Sequence, residues 1–246
     1  MILLRSLLFY LYFSIVTIGY SLILVTIGLV LPFPVRSRLG NAWGRDSLFG
    51  LKHICGLDYR VTGLEHLKRD GNAMVLSKHQ SAWETIALRM LVPSNQSWVL
   101  KRELLYVPFF GWGLAMFRPI AINRGSPNQA LKQVLRDGVK ALNRGQWMII
   151  FPEGTRVAPG EKRRYGASGA MLAMKAAVDV IPVAHNAGLY WRRNALRKYP
   201  GTIELRIGEP ISTSDKSAQQ IMDEVEEWIE SEMEKIGKAA DSVANS

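Results

Sequence analysis

A histidine followed five residues later by a carboxylate, Lys78-His79-Gln80-Ser81-Ala82-Trp83-Glu84, stands directly after the short apolar run NAMVLS. Imidazole titrates near neutral pH, so a histidine at the end of a strand can take a proton from a substrate and return it. It needs an acceptor on its other nitrogen to fix the tautomer, and Glu84 is the carboxylate at hand. Within one regular helix, five residues carry two side chains about 140° apart, so they would not share a face. They meet only if His79 lies in the turn before the helix, which Ser81 as N-cap would arrange. Ser81-x-x-Glu84 is equally an S-x-x-E capping box, in which Glu84 only closes the helix amino terminus. The seven residues leave both readings open.

A second chemical segment, Phe151-Pro152-Glu153-Gly154-Thr155-Arg156, follows the apolar run QWMII. Gly154 permits close backbone approach, Thr155 and backbone N–H groups can donate, and Arg156 suits bidentate contact with a phosphate. An ordinary surface turn is the other reading. His185, after VIPVA, is either an alternative base or a structural histidine with its hydrogen bonds satisfied. Gly166-Ala167-Ser168-Gly169 is one residue short of the G-x-S-x-G that a serine hydrolase requires.

Strand and helix signals alternate along the chain and must position these segments. Strands are predicted at 57–62, 72–77, 97–100, 146–151, 180–184 and 202–207, and helices at 41–55, 81–91, 127–143, 169–177 and 216–238. Ser212, Thr213, Ser214 and Asp215 are the candidate caps of the last helix, whose Ile221, Val225, Trp228, Ile229 and Ile236 make one apolar face. The alternation predicts an α/β fold, a mostly parallel central sheet flanked by helices. Sites in such sheets lie in loops at the carboxyl ends of strands.

Thirty residues without a charge separate Arg5 from Arg36. That is long enough for a membrane helix and too long for the apolar core of a signal peptide. Residues 1–35 are therefore read as a hydrophobic membrane anchor and 36–246 as the catalytic domain. The anchor is either one spanning helix or a broken pair within one leaflet that turns near Gly19. Arg36, Arg38, Arg45 and Lys52 follow it, so the positive-inside bias predicts a body on the cytoplasmic side of the inner membrane.

The net charge of +10 combines +16 over residues 1–214 with −6 over 215–246. A basic body suggests an anionic partner. Lys162, Arg163, Arg164, Arg192, Arg193, Arg197 and Lys198 would meet lipid headgroups or donor phosphates, or form a solvated basic face. One cysteine excludes a disulfide framework, and the four histidines show no metal-ligand spacing.

Taken together, His79 and Glu84 with the FPEGTR segment resemble the bacterial 1-acylglycerol-3-phosphate O-acyltransferases of the glycerolipid acyltransferase superfamily. Ala121-Ile122-Asn123-Arg124 and Val180-Ile181-Pro182-Val183 resemble two weaker family blocks, and Lys101 with the turn-rich VPFFGWG a third stretch. The family motif is His-x4-Asp, and this chain has Glu84 in place of the Asp. The resemblance implies acyl transfer from acyl-CoA or acyl-carrier protein to the 2-hydroxyl of lysophosphatidic acid, with no metal or bound cofactor. It implies His79 as general base and Glu84 as its orienting acid. Arg124, Arg156 and Lys101 would hold the phosphate, while Glu153 and the backbone of Gly154 and Thr155 would shape the loop and hold the acceptor. Two other expectations stand beside it. One is a superfamily acyltransferase acting on another lyso-lipid or a lipid A precursor; the other is a membrane-tethered binding module without catalysis. No nucleic-acid-binding signature is present.

Overall fold

The computed structural model of the protein describes residues 1–123 and 125–244. Its strands are β1 (Leu57–Thr62), β2 (Met74–Ser77), β3 (Gln96–Lys101), β4 (Ile120–Ile122), β5 (Trp147–Ile150), β6 (Val180–His185) and β7 (Gly201–Ile207). They form one sheet in the order β1-β7-β6-β2-β5-β3-β4. From β6 to β4 every pairing is parallel, while β7 lies antiparallel to β6 and parallel to β1. The sheet is thus mostly parallel, with one reversed pair at an edge.

Alternation along the central strands divides the core into two layers. Met74, Leu76, Met148 and Ile150 pack in one layer with Leu172 and Ala173 of α6 (Ser168–Ala176) and Val225 and Ile229 of α8 (Ala218–Ala244). On this side α5 (Pro127–Asn143) contributes Val134 and Leu142. Val75, Ile149 and Ile181 pack in the other layer with Trp83 and Leu88 of α3 (Trp83–Leu91) and Leu48 and Leu51 of α2 (Phe33–Cys55). Both faces are covered, as their near-continuous apolar sequences require.

At the amino terminus the unbroken helix of the two geometries is the one formed, and the helix boundaries differ from those read. Helix α1 (Ile2–Thr26) runs unbroken through Gly19, and the chain turns at 27–31 before entering α2. Pro32 is the N-cap of α2 and Pro34 occupies its first turn, where a missing N–H is no loss, so the two prolines open a helix. The helix read from Asn41 starts at Phe33, and a division at 35/36 falls inside it.

Helix α1 is inside-out for a helix in water. Its buried side is Ser6, Phe9, Thr17, Ser21 and Leu24, while Leu4, Leu7, Leu8, Leu11, Ile15, Ile18 and Leu22 are exposed. Polar groups tie it to the body: the Trp43 indole donates to Thr17 Oγ1 at 3.0 Å, and Tyr20 donates to Asp46 Oδ2 at 2.7 Å. An apolar outer face on a helix docked through its polar side suits a lipid environment. It is the one described helix long and apolar enough to cross a membrane.

Three smaller differences have local causes. Helix α3 starts at Trp83, not Ser81, with the Ser81 hydroxyl accepting from the Trp83 amide at 3.2 Å. Helix α8 starts at Ala218; its cap is a capping box between Ser217 and Gln220, and none of residues 212–215 fills that role. The stretch VPFFGWG, read as turns, runs into α4 (Phe110–Ala115) after a 3-10 turn at Arg102–Tyr106, and one further turn, α7 (Ala187–Tyr190), follows β6.

Candidate active site

Strands β2, β5 and β6 end at one edge of the sheet, and the loops that leave them carry the chemical residues. His79 lies in the non-helical turn between β2 and α3, so its ring swings back to Glu84. Nδ1 of His79 is 2.8 Å from Glu84 Oε1, and that oxygen also accepts the Gln80 amide at 2.9 Å and the Ser81 amide at 2.7 Å. Capping and orienting are therefore functions of one carboxylate. A carboxylate accepts, so Nδ1 carries the hydrogen and Nε2 is the nitrogen left for the cavity that His79 lines. The ring is stacked on Phe151, with centroids 3.9 Å apart and planes at 13°.

Glu84 is fully buried. Burial pushes its carboxyl up, but the neighbouring His185 ring and the hydrogen bonds from His79 and the Ser81 amide outweigh it and hold the group below its ordinary range. His185 is itself fully buried. Its Nε2 donates to the Lys78 carbonyl at 2.9 Å, its Nδ1 accepts from the Ala187 amide, and burial pushes its titration down. With both nitrogens occupied away from the cavity, it is a structural histidine and not an alternative base.

Two loops meet through Glu153. Its Oε2 accepts the His79 amide at 2.7 Å, and Oε1 lies 2.9 Å from Lys78 Nζ. The Val157 amide donates to the His79 carbonyl at 2.8 Å, giving a second tie between the loops after β2 and β5. Glu153 is buried and does not line the cavity, so its carboxylate shapes the loop by binding it to its neighbour, where the sequence reading had it also hold the acceptor. Gly154 makes the turn at φ 69°, a left-handed conformation that favours glycine. This sharp turn lets the carboxylate point inward while Thr155 and Arg156 reach the cavity wall.

The cavity beside His79 has a volume of about 800 Å³ and is mainly apolar. Ala82, Thr85, Ile86 and Arg89 line it at helical spacing, so one face of α3 forms a wall that starts at the histidine. Phe13, Thr17 and Leu24 of α1 form another wall, and Lys101, Arg156, Arg192 and Arg193 supply cations. Arg89 is a buried guanidinium with no carboxylate paired to it among the described residues. It donates to the Ser37 carbonyl at 2.7 Å and to Gln96 Oε1 at 3.1 Å, lies over the Phe117 ring, and is pushed down to about 9 by burial.

The structure thus brings His79, Glu84, Thr155, Arg156 and Lys101 to one place; Arg124 lies outside the described residues. The basic clusters divide. Arg192 and Arg193 border the cavity, whereas Lys198 is buried, with Nζ 3.2 Å from the centre of the Tyr10 ring and 4.6 Å from that of Trp191. Its amide donates to Ser6 Oγ, so it fastens α1 to the body and does not reach headgroups. Sequence reasoning did not single out the group that Lys78 forms with Tyr165 and Glu230 beneath the histidine loop. The signal available for Lys78 was its position next to His79; Glu230 reads in sequence only as one more acid on α8.

The profile of the family described as Acyltransferase matches residues 58–186. The 1-acyl-sn-glycerol-3-phosphate acyltransferase of Pseudomonas aeruginosa is 39% identical, over 98% of this chain and 95% of that protein. A protein of the same name from Limnanthes douglasii is 29% identical over 86% of this chain and 74% of its own. The crystal structure of the 1-acyl-sn-glycerophosphate (LPA) acyltransferase PlsC from Thermotoga maritima superposes with a TM-score of 0.77 at 23% identity, covering 96% of this chain and 98% of that one, and shares the fold.

Proposed function

The chain belongs to the Acyltransferase family and is an enzyme, and from that premise we propose that it acylates the 2-hydroxyl of lysophosphatidic acid to give phosphatidic acid. The donor is a thioester, acyl-CoA or acyl-carrier protein. His79 Nε2 takes the hydroxyl proton as the oxygen attacks the thioester carbonyl carbon. The tetrahedral intermediate collapses with cleavage of the carbon–sulfur bond, and the imidazolium returns the proton to the departing thiolate. Glu84 holds the tautomer through Nδ1 and stabilises the transient imidazolium, as the acid does in a Ser-His-Asp arrangement. The acceptor hydroxyl takes the place of the serine, so no covalent enzyme intermediate forms. Arg156 and Lys101 hold the acceptor phosphate at the cavity mouth, with Arg124 as a third cation, and the acyl chain lies in the apolar cavity.

One observation carries this reading: His79 has Nδ1 fixed on a buried carboxylate and lines an apolar cavity bordered by Arg156 and Lys101. Such a site suits an amphiphile with an anionic head. In this reading α1 lies in one leaflet with the body on the cytoplasmic side, where lipid acceptor and water-soluble donor meet. The test is to incubate the purified protein with one labelled acyl thioester and a panel of lyso-acceptors. Preferential labelling of lysophosphatidic acid is expected. Preference for a non-phosphorylated or lipid A-type acceptor would replace the substrate, and labelling of none would leave a membrane-tethered binding module.

A further inference from the structure

We infer that Glu230, far along the carboxy-terminal helix α8, is a positioning residue for His79 and acts through Lys78 and Glu153. The matched family region ends at residue 186, so this contact reaches the site from a part of the chain outside it. Glu230 Oε1 lies 2.7 Å from Lys78 Nζ and accepts the Tyr165 hydroxyl at 2.9 Å. The same ammonium is 2.9 Å from Glu153 Oε1, and the opposite oxygen of Glu153 holds the His79 amide at 2.7 Å. The chain of contacts is therefore continuous from α8 to the backbone of the base.

Physical reasons make this chain more than a surface ion pair. Lys78 is 2% exposed, and a buried ammonium must be met by charge on more than one side. Two carboxylates supply that here, assisted by the Tyr165 ring, whose centre is 5.7 Å from Nζ. Burial and the adjacent carboxylates keep Tyr165 protonated, which leaves its hydroxyl available as a donor to Glu230. Without Glu230, Lys78 would have one acidic partner and freedom to turn. Glu153 would lose its fixed counter-charge, and the His79 amide would lose a fixed acceptor. Small displacements of a reacting group slow a reaction far more than they weaken binding.

The kinetic test rests on the acyl-transfer reading; a hydrogen-exchange measurement does not. Glu230→Ala in the full chain is expected to lower kcat about 10–100-fold, with KM for donor and acceptor within about twofold. In a Glu153→Gln background the same change is expected to add less than about twofold, because both act along one path. Amide exchange across residues 78–84 is expected to rise in Glu230→Ala while the core strands stay protected. Tyr165→Phe, which removes one hydroxyl, is expected to lower kcat about threefold and serves if Glu230→Ala does not fold. Unchanged kcat in the variants that fold, or equal losses with and without Glu153, would overturn the inference. If wild type transfers no acyl group, that reading fails instead, and unaltered exchange at 78–84 would still overturn this one.

Discussion

Glu84 Oε1 sits 2.8 Å from His79 Nδ1 and 2.7 Å from the Ser81 amide, so one buried oxygen orients the imidazole and closes the amino terminus of α3. The two roles separate on substitution. Glu84→Gln keeps an acceptor for the amides but removes the charge that stabilises an imidazolium. It is expected to lower kcat by about 10²-fold or more, with KM little changed. His79→Ala is expected to lose about 10²–10⁴-fold while remaining folded. Steady-state kinetics with thermal melts decides the matter: wild-type kcat in Glu84→Gln would reduce the carboxylate to a helix cap.

Arg156 lines the cavity from the turn after β5, and no acidic side chain pairs with it among the described residues. A guanidinium left open beside an apolar cavity is matched to the phosphate of an amphiphile. Arg156→Ala is expected to raise KM for the phosphorylated acceptor about tenfold, with a smaller rise for Lys101→Ala, which lies near Glu103 at 3.3 Å. Both substrates must be varied independently. A rise confined to the acyl donor would move Arg156 to the other substrate's site.

Lys198 ties α1 to the body from a buried position, and burial pushes its ammonium down to about 8, with Cys55 opposing. Its titration in the unfolded chain lies at the ordinary 10.5, so the unfolded state binds more protons between about pH 8 and 10.5. Stability from this group therefore rises with pH across that window and is absent below it, where both states are charged. Wild type is expected to gain melting temperature relative to Lys198→Met on going from pH 7.5 to about pH 10. Parallel melting curves over that range would show that the buried ammonium is not destabilised.

Much of this was legible in the sequence because it depended on local periodicity. The strands after which His79 and Arg156 follow are short apolar runs, and a parallel sheet places their ends at one edge. Glu84 was legible as a candidate, but not as both cap and orienting acid, because that depends on where the helix begins to within a residue. Glu153 was assigned to the acceptor because sequence shows a motif but not which way a carboxylate turns, and the left-handed Gly154 leaves it pointing inward. Lys198 reads as one of four basic residues at 192–198 until Tyr10 and Trp191 close around it. Glu230 could not be found from sequence, since 152 residues separate it from Lys78.

Helix α1 makes the last prediction. Contacts spread along its length, from Ser6 with Lys198 through Tyr12 and Tyr20 with Asp46, hold it against the body. A helix that crossed the bilayer alone would have to give these up. Docked, it presents Leu8 and Leu11 outward, 49% and 61% exposed. Leu8→Asp with Leu11→Asp is expected to shift the protein from the membrane to the soluble fraction, since each acid costs up to about 2.5–3.5 kcal/mol in hydrocarbon. Tags at the amino and carboxyl termini are expected to be reached by a protease from the same side of a sealed vesicle. If the amino-terminal tag is protected while the other is cut, α1 crosses the bilayer and its contacts with Asp46 and Lys198 do not persist in the membrane.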